Sequence, residues 1–230
     1  MKLRIVIVCS LLLSGCASLS FEGPYAQFYQ DKTNGEDLTK SPHVILPSGP
    51  PELLRGDEDA DKGRMLEDGF GLIGISSFIG PDASPVAVRN NALAQGEKVH
   101  ASAVLVYPPK YVGHADGILS GARPKFDYFV SYWIKIKPLV FGVHVDELSA
   151  ELKQKIGGNR GVVVVAVLKN SPASVVGILR GDVLKQIGEK EIADKKALSE
   201  ATSQYAGKKV MVKFLRDGKE FTKEVVLNEK

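Results

Sequence analysis

The sequence predicts an α+β protein, and three stretches carry that expectation. Phe126, Tyr128, Val130, Tyr132, Ile134 and Ile136 alternate with Asp127, Ser131, Lys135 and Lys137. A period of two marks a strand. Ser84-Pro85 opens the run 86–96, which ends on Gly96; a serine cap, a proline at the first helical position and a closing glycine are helix signals. Arg216-Asp217-Gly218-Lys219 sets Asp-Gly between two apolar stretches, a strong hairpin signal. With 44% hydrophobic and 25% charged residues, the chain is neither collagen, coiled coil, wholly disordered nor a polytopic membrane protein. A formal charge of +3 is too small to indicate nucleic acid as a partner.

The N-terminus begins with Met1-Lys2-Leu3-Arg4, a short basic segment. Ile5-Val6-Ile7-Val8-Cys9-Ser10-Leu11-Leu12-Leu13 follows. This apolar stretch is shorter than the roughly 20 residues that span a bilayer, and it reads as the apolar core of a secretory signal. It runs into Leu13-Ser14-Gly15-Cys16. That tetrapeptide resembles the bacterial lipobox, which implies a signal peptide over 1–15 and lipid, palmitate included, on Cys16. The bland alternative is an ordinary signal with a chance cysteine. Cleavage would remove Lys2, Arg4 and Cys9, lowering the charge to +1 and leaving no free thiol. Several acyl chains anchor a protein more stably than one, because each buried CH₂ contributes about 0.8 kcal/mol. In the best-known Gram-negative sorting scheme an aspartate after the cysteine retains the protein in the inner membrane. Ala17 stands there instead, so the outer membrane, facing the periplasm, is expected for a Gram-negative source.

Residues 16–63 read as a lipid anchor and linker. They hold Pro24, Pro42, Pro47, Pro50 and Pro51 and the cluster Asp57-Glu58-Asp59-Ala60-Asp61. Such composition buries too little apolar surface to offset chain entropy. Tyr25, Phe28 and Tyr29 are expected as a local anchor onto a folded domain.

Residues 64–137 read as a small α+β unit of βαββ order. Its first strand runs from Phe70 to Ile79, punctuated by Gly69, Gly71, Gly74 and Gly80, as where another group approaches the backbone closely. The Ser84-capped helix follows, then a strand over 99–107 that His100 begins. Residues 108–124 are expected as a loop, before the strand over 126–136. Phe129 and Trp133 on its second face suggest cover on that side too.

The remaining 138–230 carry a run of motifs. Val140-Phe141-Gly142-Val143 comes first, then Gly161-Val162-Val163-Val164-Val165-Ala166-Val167. Lys169-Asn170-Ser171-Pro172-Ala173 and Gly177-Ile178-Leu179-Arg180-Gly181-Asp182-Val183-Leu184 follow, and Lys209 to Lys219 closes the series. In this order and spacing they resemble a bacterial PDZ domain of the kind attached to envelope trypsin-like proteases. Asn170 stands where the family's common turn has glycine. Local chemistry agrees: Ser171 can cap a short helix, Gly181 can take a positive φ, and Asp194 precedes a helix to about Gln204 with Leu198, Ala201, Thr202 and Tyr205 on one face. Gly207 closes it. The fold expected is a partly open β-barrel with two helices.

The resemblance implies a binding mode. PDZ domains take an extended peptide as an added strand and hold a terminal carboxylate in a nest of backbone amides. Carried over, Val140, Phe141, Gly142 and Val143 would form the nest, Val143 and Val145 the docking strand, and Leu198 and Thr202 the facing helix, with Lys195 at the groove mouth. An apolar C-terminal residue would be preferred. Leu198 serves equally as core or groove wall, Val143 as both, and Lys195 reads first as a solvated surface lysine. The partners implied are protein C-termini or extended peptides in the envelope, the membrane through Cys16, and an envelope protease that the domain would serve as adaptor.

No catalytic residue, cofactor or metal site is expected. The protease that accompanies such domains would need about 200 residues, and 64–137 is much shorter. No Gly-x-Ser-x-Gly elbow is present. His43, His100, His114 and His144 lack helical metal-site spacing. His114 with Asp116 is the best catalytic pair available. Gly69-Phe70-Gly71-Leu72-Ile73-Gly74 echoes a nucleotide loop but lacks the strand-turn-helix context. The alternative to a peptide binder is a small envelope hydrolase or ligand-binding protein with its site in 64–137.

Overall fold

The structure is a computed structural model that describes residues 23–58, 60–114 and 124–230. The stretch expected as a signal peptide, Cys16 and Asp116 lie outside them. In chain order the first unit contains α1 (Pro24–Gln27), β1 (Tyr29–Asp31), β2 (Val44–Ile45), β3 (Glu52–Arg55), α2 (Asp61–Glu67), β4 (Phe70–Pro81), α3 (Pro85–Lys98), β5 (Ala103–Val106), β6 (Lys110–His114) and β7 (Pro124–Ile136). The second contains β8 (Val143–Glu147), α4 (Ala150–Lys155), β9 (Val162–Val167), α5 (Pro172–Val175), β10 (Val183–Ile187), β11 (Lys190–Glu191), α6 (Lys195–Tyr205), β12 (Lys209–Arg216) and β13 (Lys219–Val226).

The first unit is a sheet of order β1-β4-β7-β5-β3, with β2 and β6 also paired to β7. Period-two alternation in β7 sends its side chains to two cores. Tyr128, Val130, Tyr132 and Ile134 join Val88 and Ala92 of α3. Trp133 joins Met65 of α2, with Phe129 packed beside it. Helices on both faces explain why β7 is apolar on both sides.

The linker expected over 16–63 is corrected by the sheet pairings in its described part. β1 pairs with β4, β2 with β7, and β3 lies parallel to β5. Tyr25 is 2% exposed and meets Phe78 edge-on at 4.9 Å. The Tyr29 ring lies over Gly74, where any Cβ would sit 2.2 Å from it. The acidic cluster is also partly structural. Asp61 is 1% exposed and accepts from the Asp57 amide and from Arg64 Nη2, each at 2.5 Å. Averaging over prolines and acids hid short strands whose partners lie far along the chain.

Three smaller expectations also change. Residues 110–114 of the expected loop form β6, antiparallel to β7, which adds a strand to the βαββ order. His100 does not begin a strand; with φ +57 it turns the chain after α3, and β5 starts at Ala103. The helix runs past Gly96, whose missing Cβ admits Val104 Cγ2 (2.4 Å from a built Cβ). The glycine serves helix-to-sheet contact.

The second unit is a sheet of order β13-β12-β10-β9-β8, with β11 on β10. Phe141, Val162, Leu184, Ile187, Val212 and Phe214 form its core with Leu198 and Ala201 of α6. Asp194 caps α6 by accepting from the Ala197 amide at 2.8 Å. It has three helices where two were expected. Ser149 caps the extra one, α4, which buries no residue, so it left no apolar stripe in the sequence.

The units touch where α2 ends. The Lys169 amide donates to Glu67 O at 2.9 Å, and Lys169 Nζ pairs with Asp68 Oδ1 at 2.6 Å.

Candidate functional site

β8 is the end strand of its sheet. Along one side it pairs with β9, Val143 opposite Val167 through Glu147 opposite Val162, with an irregularity between His144 and Val145. Among the described residues no strand pairs with its other side. An open edge carries unpaired donors and acceptors that accept a further strand.

The loop before β8 is held by its carbonyls. Val140 O accepts from the Asn228 amide at 2.9 Å, Phe141 O from Ala173 at 3.0 Å, and Gly142 O from Leu168 at 2.9 Å. Ser171 Oγ donates to Gly142 O as well, at 3.3 Å. Among the described residues, the amides of Val140, Phe141 and Gly142 donate to no acceptor. Three successive carbonyls fixed on one side leave three amides free for an anion on the other.

Gly142 makes this turn possible. Its φ is +88°, and a Cβ would lie 2.1 Å from Ser171 Cβ. Ser171 also caps α5, accepting from the Ser174 amide at 3.3 Å. One serine therefore fixes both the short helix and the loop, a double role that its Ser-Pro-Ala context did not disclose.

The sequence-derived site residues come together around this edge. Phe141 and Val143 are buried in the core at 2% and 8% exposure, and Val145 packs against the same cluster. Leu198 is in that core too, and α6 packs against β8. Thr202 is half-buried, but its Oγ1 donates to its own helix, to Leu198 O at 2.9 Å and Ser199 O at 3.1 Å. Its methyl and its two oxygen lone pairs are what it offers a neighbour.

Lys195 is not simply a solvated lysine. Its Nζ pairs with Asp146 Oδ1 at 2.6 Å, and its amide meets Glu147 Oε1 at 3.3 Å. The Lys195 hydrogen bond and charge hold the Asp146 carboxyl below the usual carboxylate range. These contacts fasten the start of α6 to the far end of β8. Both side chains are about half exposed, so the pair contributes about 0–1 kcal/mol. Asp146 and Glu147 carried no sequence signal, because charges at a strand end look like ordinary solvated residues.

His144 lies between these groups in β8. Its Nε2 is buried with no partner among the described residues, and burial lowers its pKa.

His114, the catalytic candidate, ends β6. Asp116, the proposed partner of His114, lies outside the described residues. The glycine series 69–74 lies in and beside β4, paired to β7, with no helix start against it. Among the described residues no group of His, Cys, Asp and Glu is arranged to hold a metal ion.

Residues 140–227 match the PDZ domain family; the second unit is a PDZ domain. The chain is 33% identical over 98 residues to the periplasmic serine endoprotease DegP of Escherichia coli strain K12, and equally to that of strain O157:H7. The match covers 41% of this chain and 21% of the protease, so the chain spans about a fifth of the curated relatives' length. Among solved structures, the HtrA-type protease AlgW with decapeptide is 21% identical, covering 52% of this chain and 42% of that one, at a TM-score of 0.35. The HtrA3 PDZ domain bound to a phage-derived ligand is 19% identical, covering 38% and 83%, at 0.34.

Proposed function

We propose that this chain is a cell-envelope lipoprotein, tethered through Cys16, whose PDZ domain binds C-terminal or extended segments of partner proteins. It acts as a scaffold or as an adaptor for an envelope protease, with no catalysis of its own. The observation that carries the reading is the set of acceptor-free amides at Val140, Phe141 and Gly142 beside the open edge of β8. A peptide added to that edge gains main-chain hydrogen bonds whatever its sequence, and its side chains supply selection. Phe141, Val143 and Leu198 favour an apolar last residue, with Val145 and Thr202 further along. The Lys195–Asp146 tie limits the groove to short segments unless it opens.

The periplasmic relative supports an envelope location, and the lipobox-like Leu13-Ser14-Gly15-Cys16 supports the tether, with Ala17 favouring the outer membrane.

Peptides with free and amidated C-termini, titrated against the protein and its Thr202→Arg variant, test the binding. The free carboxylate and an apolar last residue are expected to bind better, and Thr202→Arg to block both. Equal binding of amidated peptide would remove the carboxylate nest from the reading. Labelling with a palmitate analogue, followed by membrane fractionation, tests the tether: Cys16→Ala is expected to lose label and membrane association.

A further inference from the structure

The first unit contains a cavity that the peptide reading does not use. β3 and β5 run parallel and finish level, Arg55 opposite Val106. Beyond their carboxyl ends the chain turns away at Pro108-Pro109, and the first turns of α3 form the far wall. The groove they leave, open to solvent at Arg55 and Arg89, has a volume of about 630 Å³, within the ~300–1,000 Å³ of small-molecule sites.

Its lining has two parts. Leu53, Leu54, Val88 and Val106 supply apolar walls, and the exposed Arg55 and Arg89 are the charged residues of the lining. The Tyr107 ring adds apolar surface, since its hydroxyl is engaged elsewhere, at 3.2 Å from Ser131 Oγ. No acidic residue lines the cavity among the described residues. Of the acids close in sequence to the lining, Glu58 pairs with Lys110 at 2.6 Å and Asp61 with Arg64 at 2.5 Å, while Asp82 beside Ala83 has no ion pair among the described residues. Arg55 and Arg89 have no ion-pair partner among the described residues.

We infer that this cavity binds a small amphipathic carboxylate, an anionic head carried on an unbranched apolar chain. A planar guanidinium matches a carboxylate with two parallel hydrogen bonds. The apolar walls take the chain, which leaves water on binding.

Titration of the full chain with sodium decanoate, followed by calorimetry and by methyl NMR of Leu53, Val88 and Val106, tests the site. Saturable one-to-one binding with shifts at those methyls is expected. The surface double variant Arg55→Gln, Arg89→Gln is expected to weaken decanoate at least tenfold while changing decanol less than twofold. Acetate, which lacks the chain, is expected not to saturate. Unmoved methyls at saturation, equal decanoate affinity in the double variant, or acetate binding as tightly as decanoate would each overturn the inference. Loss of decanoate binding in Thr202→Arg would place the ligand in the PDZ groove instead, and would also overturn it.

Discussion

Arg216 grips Asp182 with two parallel hydrogen bonds, Nε to Oδ1 at 2.8 Å and Nη2 to Oδ2 at 2.7 Å. Asp182 is 1% exposed and also accepts from the Leu179 amide at 2.9 Å. Arg216 reaches on to Gly177 O at 2.7 Å. One ion pair thus joins the turn before β10 to the end of β12. Removing one partner strands the other near the core, so Arg216→Met is expected to cost about 3 kcal/mol. Arg216→Lys keeps the charge but loses the fork, and should fall between it and wild type. Urea unfolding followed by far-UV circular dichroism measures both; equal stability of the Met variant and wild type would refute the role.

Gly142→Ala places a Cβ 2.1 Å from Ser171 Cβ at φ +88°. Backbone strain and overpacking act together, and a loss of about 3 kcal/mol is expected. Adding Ser171→Gly removes the clash but not the strain, and should restore part of that loss in a double-mutant cycle. Strict additivity of the two substitutions would show that Ser171 is not the obstacle.

Alkali should act on the two units unequally. Burial pushes Tyr29 and Tyr107 up to about 12, and Tyr25 and Tyr132 higher still. An unfolded tyrosine titrates near 10. The native state therefore holds these protons more tightly. Its stability is full below about pH 10 and falls as pH rises through the native values. All four lie in the first unit, as does the sole tryptophan, Trp133. Trp133 fluorescence is expected to report unfolding above pH 10, ahead of any change in the PDZ domain. Tyr107→Phe should make the transition less steep. A Trp133 transition complete below pH 9 would contradict this.

Acid should act on the PDZ domain through His144. Burial lowers its native pKa, whereas the unfolded residue titrates near 6.5. Below that pH the unfolded state takes up a proton that the native state resists, so stability drops as pH falls. His144→Thr is expected to flatten the decline below about pH 6.5 in chemical unfolding. An unchanged slope in the variant would assign the decline to other groups.

The PDZ half was largely legible because its signals are local. Asp194 announces α6, Asp217-Gly218 the last hairpin, and Gly142 and Gly181 stand where positive φ is required. What escaped was the use of Ser171 against Gly142 and of Lys195 against Asp146, contacts between residues far apart in sequence. In the first unit β7 and α3 were readable from period and caps. β1, β2 and β3 were not, being two to four residues long among prolines and acids. Their partners stand tens of residues away, and no local pattern encodes a pairing such as Leu54 with Leu105.

β7 is bonded to β2, β4, β5 and β6, yet it is the last strand of its sheet to be synthesised. A chain emerging N-terminus first therefore displays the earlier strands before the one that organises them exists. Pairings of such long separation form slowly, and unpaired strands are what chaperones and proteases meet on a nascent chain. The first unit can close only after residue 136 has emerged, which makes the front half of this protein the longest exposed during its manufacture.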